Sequence, residues 1–226
     1  MVASGEPGAN ELSLRGSEEG RKMAGMGSPA RRIKPATIED LLAIPEEERR
    51  HEIIDGELVQ KAMTNAVHGA SLLGLGSVIR EEYGRGRRSR GPGGWWLVAD
   101  ADIAFAADQI YRPDLAGWRR ERMPTLPKEW PIRIRPDWVC EVLSPTNRSN
   151  DRVRKYRNYH RFEVPHYWIL DPMDETLTVF RWTEPGYLVA LIAERGERVH
   201  AEPFEAVELD INELFGDAED DEPTEG

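Results

Sequence analysis

Glu141 sits inside an apolar run, Trp138-Val-Cys-Glu-Val-Leu143, that reads as a buried strand. A carboxylate turned toward a core costs several kcal/mol unless it is paired or bound to a metal. Strand alternation puts Val139, Glu141 and Leu143 on one face and Cys140 and Val142 on the other. The plainer explanation is a strand-end acid, or one salt-bridged to a nearby arginine. A second acid, Asp114, follows Arg112-Pro113 and opens another apolar stretch, Leu115-Ala-Gly-Trp118. An acid after proline is also a common turn residue. Two carboxylates brought together at a sheet edge are hard oxygen ligands of the kind that suit Mg²⁺ or Mn²⁺. Downstream, Lys155 and Tyr159 are spaced i, i+4 and share one helix face. With Tyr156 and Tyr159 packed inward, Lys155 points along the sheet edge toward Glu141; otherwise it is a solvated helix lysine. Glu52, in His51-Glu-Ile-Ile-Asp55-Gly56-Glu57, is either a fourth member of such a site or a surface strand acid.

The elements that would position these residues follow from pattern. Thr37-Ile-Glu-Asp40 starts a short helix that stops near Pro45. Residues 51–54 and 57–60 flank an Asp-Gly turn and form a hairpin. Residues 65–83 carry a helical stripe that includes Val67, Leu72, Leu75 and Ile79, and Gly84 to Gly94 is a Gly/Arg loop. Strands are expected over 95–99, 102–106, 112–117 and 138–143, and a charged helix over 148–162. Further strands are expected over 166–170, 176–182, 187–193 and 198–200, before a last short helix over 210–215. The result is an α/β or α+β sheet flanked by helices in one domain of about 180 residues.

The formal charge of −11 argues against a nucleic-acid partner if taken whole, but residues 216–226 hold six acids and no base. Residues 31–215 carry a net of −4. Within them lie two basic runs, one holding Arg85, Arg87, Arg88 and Arg90, the other Arg148, Arg152, Arg154 and Lys155. Phosphate binding needs local positive potential rather than a basic total, although such runs are also ordinary solvated faces. Residues 1–30 read as a disordered leader and 216–226 as a disordered acidic tail. A single cysteine, Cys140, excludes an internal disulfide framework, and no stretch reaches the roughly 18 apolar residues of a membrane helix. A soluble, cytoplasmic protein is expected.

The order acid, Pro-Asp, acid in an apolar strand resembles the PD-(D/E)XK nuclease superfamily. More closely, the chain resembles the Uma-type family of bacterial proteins assigned as restriction endonucleases and long filed as a domain of unknown function. The matching stretches are Glu52-Ile-Ile-Asp-Gly-Glu-Leu58, His68, Arg112-Pro-Asp114 and Trp138-Val-Cys-Glu-Val-Leu-Ser-Pro145. They continue with Asp151-Arg-Val-Arg-Lys-Tyr156 and Val164-Pro-His-Tyr-Trp-Ile-Leu-Asp-Pro172. The resemblance covers residues 37 to 200. It implies an α/β, restriction-endonuclease-like mixed central sheet flanked by helices, with an added C-terminal antiparallel hairpin region, within residues 31–215.

It also implies metal-dependent hydrolysis of phosphodiester bonds in DNA. Asp114 and Glu141 would bind Mg²⁺ or Mn²⁺, with the backbone carbonyl of Val142 as third ligand. Glu52 would complete the site, and Arg85, Arg87, Arg88, Arg148 and Arg152 would hold phosphates. One departure from the superfamily pattern stands out: Leu143 occupies the position of the expected lysine. In the resembled family that role is thought to migrate to the following helix, which makes Lys155 its candidate. If Lys155 does not reach the site, the alternative is a catalytically inactive nuclease-fold protein acting as a nucleic-acid-binding or regulatory module. A homodimer is expected only by analogy with enzymes that cut both strands. His68 reads as a packed or capping histidine, and Asp100 and Asp102 as solvated strand-end acids. Trp95, Trp96, Trp138 and Trp168 read as core, with Trp118 left open for stacking on a base.

Overall fold

Asp55 and Gly56 adopt positive φ, 53° and 74°, the left-handed pair that a two-residue hairpin turn requires. They join β1 (His51–Ile54) to β2 (Glu57–Gln60), as the Asp-Gly signal predicts. The structure, a computed structural model, describes residues 34–84, 93–144 and 150–216, without the side chains of 150–152. The expected leader, the acidic tail beyond Gly216 and most of the Gly/Arg loop lie outside the described residues.

Helix α1 (Ile38–Leu42) begins at Thr37, whose backbone N–H donates to Asp40 Oδ2 at 2.7 Å. Helix α2 (Ala66–Tyr83) is capped by the Asn65 side chain, which accepts from the backbone N–H of His68 at 2.9 Å and satisfies one of the helix's orphan donors. Next come β3 (Trp95–Ala99), β4 (Ile103–Ala106), β5 (Gln109–Tyr111), β6 (Leu115–Arg119) and β7 (Trp138–Val142). Helix α3 (Asn150–Arg161) leads into β8 (His166–Asp171), β9 (Thr176–Thr183) and β10 (Gly186–Glu194). The chain ends with β11 (Arg198–Val199), β12 (Leu209–Asp210) and α4 (Ile211–Leu214). The expected strand 112–117 starts only at Leu115, as β6, and an unexpected strand, β5, precedes it, with Arg112-Pro113-Asp114 between the two. Pro113 has no N–H to give a ladder, and the N–H of Arg112 is taken by the Glu52 carboxylate at 2.7 Å.

The strands form a six-stranded sheet in the order β10-β9-β8-β7-β6-β3, a four-stranded sheet β2-β1-β5-β4, and the small pair β11-β12. The large sheet is mixed: β7 and β8 run parallel, joined through α3, and its other neighbours are antiparallel. The β9–β10 hairpin forms one edge, the expected C-terminal antiparallel addition. All five residues of β7 are buried. Trp138, Cys140 and Val142 pack with Leu75 and Ile79 of α2, Leu214 of α4, and Trp168 and Phe204. Val139 and Leu143 pack on the other side with Tyr159 of α3, Tyr167 and Ile169. The predicted alternation therefore holds, and Glu141 shares the face covered by α3. No helix among the described residues is long and apolar enough to cross a membrane.

Gly117 shows how closely the sheet is packed where β6 meets its neighbours. It pairs with Leu97 on one side and Trp138 on the other. A Cβ there would lie 3.1 Å from the Trp138 ring, 3.2 Å from the Trp95 ring and 3.3 Å from Leu97. Both indoles are buried and packed against Phe204, and overpacking a dense core destabilises it. Gly117→Val is expected to lower unfolding stability by about 1–3 kcal/mol in urea titration.

Candidate functional site

Leu115 of β6 pairs with Cys140 of β7, so Asp114 and Glu141 are the next residues outward along one ladder. Both line a cavity of about 40 Å³ at that end of the sheet, with Lys61, His68, Val142, Leu143, Ser144 and Lys155 among the other walls. Glu52, on β1 of the four-stranded sheet, joins the group through Lys155 rather than as a wall of the cavity. Asp114, Glu141 and Glu52 are 2%, 6% and 1% exposed.

Asp114 sits among donors. Its Oδ1 accepts from Lys61 Nζ at 2.7 Å, its Oδ2 accepts from the Val142 N–H at 2.7 Å, and His68 Nε2 lies 3.3 Å from Oδ2. Burial pushes its carboxyl up, but the His68 contact and the Lys61 charge outweigh that and hold it well below the usual carboxylate range. Lys61 also donates to the Arg112 carbonyl at 2.8 Å and to Asp100 Oδ1 at 3.3 Å. Burial drags its ammonium down, yet the charge of Asp114, aided by Glu141 and Glu52, leaves it above the ordinary lysine value.

Glu141 has different company. Lys155 Nζ donates to Oε1 at 3.0 Å and to Oε2 at 3.1 Å, and the Tyr159 hydroxyl donates to Oε1 at 2.7 Å. The same ammonium lies 3.0 Å from Glu52 Oε1, so one cation is divided between two buried acids. Burial pushes the Glu141 carboxyl up to about 7; Lys155 opposes this, while Asp114 and Glu52 add to it. Burial likewise pushes the Tyr159 phenol well above its ordinary value and keeps it a donor. Glu52 Oε1 also accepts from the Arg112 N–H, whereas Glu52 Oε2 is buried without a hydrogen-bond partner among the described residues. An orphaned carboxylate oxygen in such a place is costly and is a ready acceptor for a water or a ligand.

Glu52, Asp114, Glu141 and Lys155, picked out from sequence, are thus brought together, and Val142 lines the same cavity. Arg85, Arg87, Arg88 and Arg148, with the side chain of Arg152, lie outside the described residues. Other expectations change. His68 does lie in the capped first turn of its helix, but its ring reaches Asp114. Asp102 is buried rather than solvated: Arg112 grips it through Nε at 2.8 Å and Nη2 at 2.6 Å, and Trp130 Nε1 donates to it at 2.7 Å. Trp118 is fully buried, with Nε1 donating to the Ile134 carbonyl at 2.8 Å, so it is core and offers no face to a base. Trp96 is only partly buried, under the guanidinium of Arg120.

From sequence, Lys61 is only a fallback beside Arg154 for the lysine role, because a lysine after an alternating strand carries no signal that it is buried. Among the described residues, no three or more His, Cys, Asp or Glu side chains gather into a ready metal cage. The site offers two carboxylates beside the Val142 backbone. Mg²⁺ commonly takes one or two carboxylates and fills the rest of its shell with water and substrate phosphate, so these donors fit it. An extra cation would also offset the buried charge at Glu141, which burial, with Asp114 and Glu52 adding to it, pushes toward its protonated form.

Glu141 should leave a mark on stability. In the unfolded chain it titrates near 4.5 and in the folded protein near 7. Its folded form therefore holds the proton more tightly. The stability from this group is fully present below the lower value and is lost as pH rises through the upper one. Melting of the metal-free protein in EDTA, followed from pH 4.5 to 8, should show this decline, and Glu141→Gln should flatten it.

A family model described as Uma2, "Putative restriction endonuclease", matches residues 38–212. Among solved structures, the chain is similar to one titled a putative nuclease belonging to DUF820 from Anabaena variabilis. The two share 24% identity over 80% of this chain and 98% of that one, with a TM-score of 0.63, which shows a common fold. No curated protein matches the chain. The family match spans most of the chain and includes all the residues gathered in the cavity, and the chain accordingly belongs to the Uma2 family.

Proposed function

We propose that this protein is a metal-dependent endonuclease that hydrolyses phosphodiester bonds in DNA. The observation that carries the reading is the convergence of Asp114 and Glu141, adjacent on one ladder, with a buried lysine bonded to Glu141 and Glu52. Membership of a family described as restriction endonucleases supports it. Asp114, Glu141 and the backbone carbonyl of Val142 would hold Mg²⁺ or Mn²⁺. The ion supplies Lewis acidity toward a phosphate oxygen and lowers the pKa of a water.

The protein's own groups do the rest. Tyr159 and Lys155 hold the Glu141 carboxylate in one orientation. Lys155 takes the role of the lysine that Leu143 displaces: its ammonium faces the cavity, where it orients the attacking water or offsets charge growing on the phosphate. Glu52, fixed through Oε1, presents Oε2 as an acceptor for a water proton. The basic run with Arg85, Arg87 and Arg88, together with Arg148 and Arg152, would hold the DNA backbone, contacts that fix position without reading sequence.

Supercoiled plasmid incubated with purified protein should be nicked with Mg²⁺ or Mn²⁺ and left intact with EDTA. Glu141→Ala and Lys155→Ala should each slow nicking by about a hundredfold or more. Nicking that survives Lys155→Ala but not Glu141→Ala moves the lysine role to another residue. DNA that is bound in a salt-sensitive way but never cut replaces the nuclease with a binding module built on the same fold.

A further inference from the structure

Lys61 lies where a bound ion would have to compete with it. The residue follows β2, and its N–H still bonds the Arg50 carbonyl at 2.7 Å, so the hairpin fixes where its side chain begins. The side chain is 10% exposed, and its ammonium lies 2.7 Å from Asp114 Oδ1. A divalent ion held by the same carboxylate sits about 2.1 Å from its oxygen. Two cations that close to one carboxylate repel each other strongly in a buried site.

We propose that Lys61 is a built-in counter-ion: it holds Asp114 while the ion is absent, gives way when the ion docks, and then contacts an oxygen of the bound phosphate. This rests on reading Asp114 and Glu141 as the metal centre. Asp114 keeps its orientation after Lys61 leaves, because the Val142 N–H and His68 still hold Oδ2. The departing ammonium already touches a way out, toward the Arg112 carbonyl and the well-exposed Asp100. Lys155 has no such freedom, held as it is between Glu52 and Glu141. The two lysines therefore differ in kind: one is fixed, the other exchangeable.

The test is a calorimetric Mn²⁺ titration of the full chain at pH 8, paired with plasmid nicking at saturating Mn²⁺. Lys61→Met should bind Mn²⁺ about tenfold more tightly, since a neighbouring like charge is gone, yet nick about a hundredfold more slowly. Lys61→Arg, which keeps the charge, should not gain affinity. Lys61→Gln provides the same reading should Lys61→Met melt too low to purify. Unchanged or weaker Mn²⁺ binding in the neutral variants, or undiminished nicking, overturns the proposal. Asp114→Asn separates this from failure of the metal centre. If it abolishes Mn²⁺ binding while Lys61→Met leaves affinity unchanged, only the role of Lys61 is lost. If the parent protein and Asp114→Asn bind Mn²⁺ alike or not at all, the metal centre is overturned and the proposal with it.

Discussion

Removing a carboxylate from water carries an effective penalty of several kcal/mol, and Glu52, Asp114 and Glu141 are all almost fully removed from it where the four-stranded sheet meets one end of the six-stranded sheet. Such a cluster persists only if cations and hydrogen-bond donors arrive from elsewhere in the chain. Here they come from separate elements: Lys155 and Tyr159 from α3, Lys61 from the end of the first hairpin, and His68 from the start of α2. The topology can be understood through this requirement. The β7–α3–β8 unit lays α3 over the face that carries Glu141, and the small sheet brings Glu52 within 3.0 Å of the same lysine.

Asp114 and Glu141 show how the same chemical group is given opposite properties at neighbouring positions of one ladder. Both are buried, and burial alone raises both. Asp114 then gains a backbone N–H, an ammonium largely its own and an imidazole, and stays ionised. Glu141 shares its ammonium with Glu52 and feels two other acids, and so keeps its proton to near neutrality. Burial is the largest influence on Glu141, and Asp114 escapes the same fate because more donors serve it.

Much of this was legible in the chain. An acid in a run as apolar as Trp138 to Leu143 announces a buried charge, and the i, i+4 spacing of Lys155 and Tyr159 placed both on the face that meets it: each bonds Glu141. The Asp-Gly turn and β3 were found to the residue. The misses share a cause. Lys61 is buried by a segment fifty-three residues further on, and Asp102 by Arg112 and the distant Trp130. Local pattern says nothing about contacts made only when remote loops dock. The break between β5 and β6 belongs with them, because the partner that takes the Arg112 N–H is Glu52, sixty residues earlier.

The single ammonium shared by Glu52 and Glu141 also ties the small sheet to the large one. Removing Lys155 strands two buried acids, whereas removing one acid leaves the lysine in a balanced pair with the other; breaking one side of a buried pair is far worse than replacing the whole pair with apolar groups. A lineage that abandoned the chemistry would thus gain little from losing these residues one at a time. Its neutral path is to lose the trio together, so a relative with all three positions apolar would be a coherent, retired form of this fold, and one that lost Lys155 alone would be an unstable intermediate.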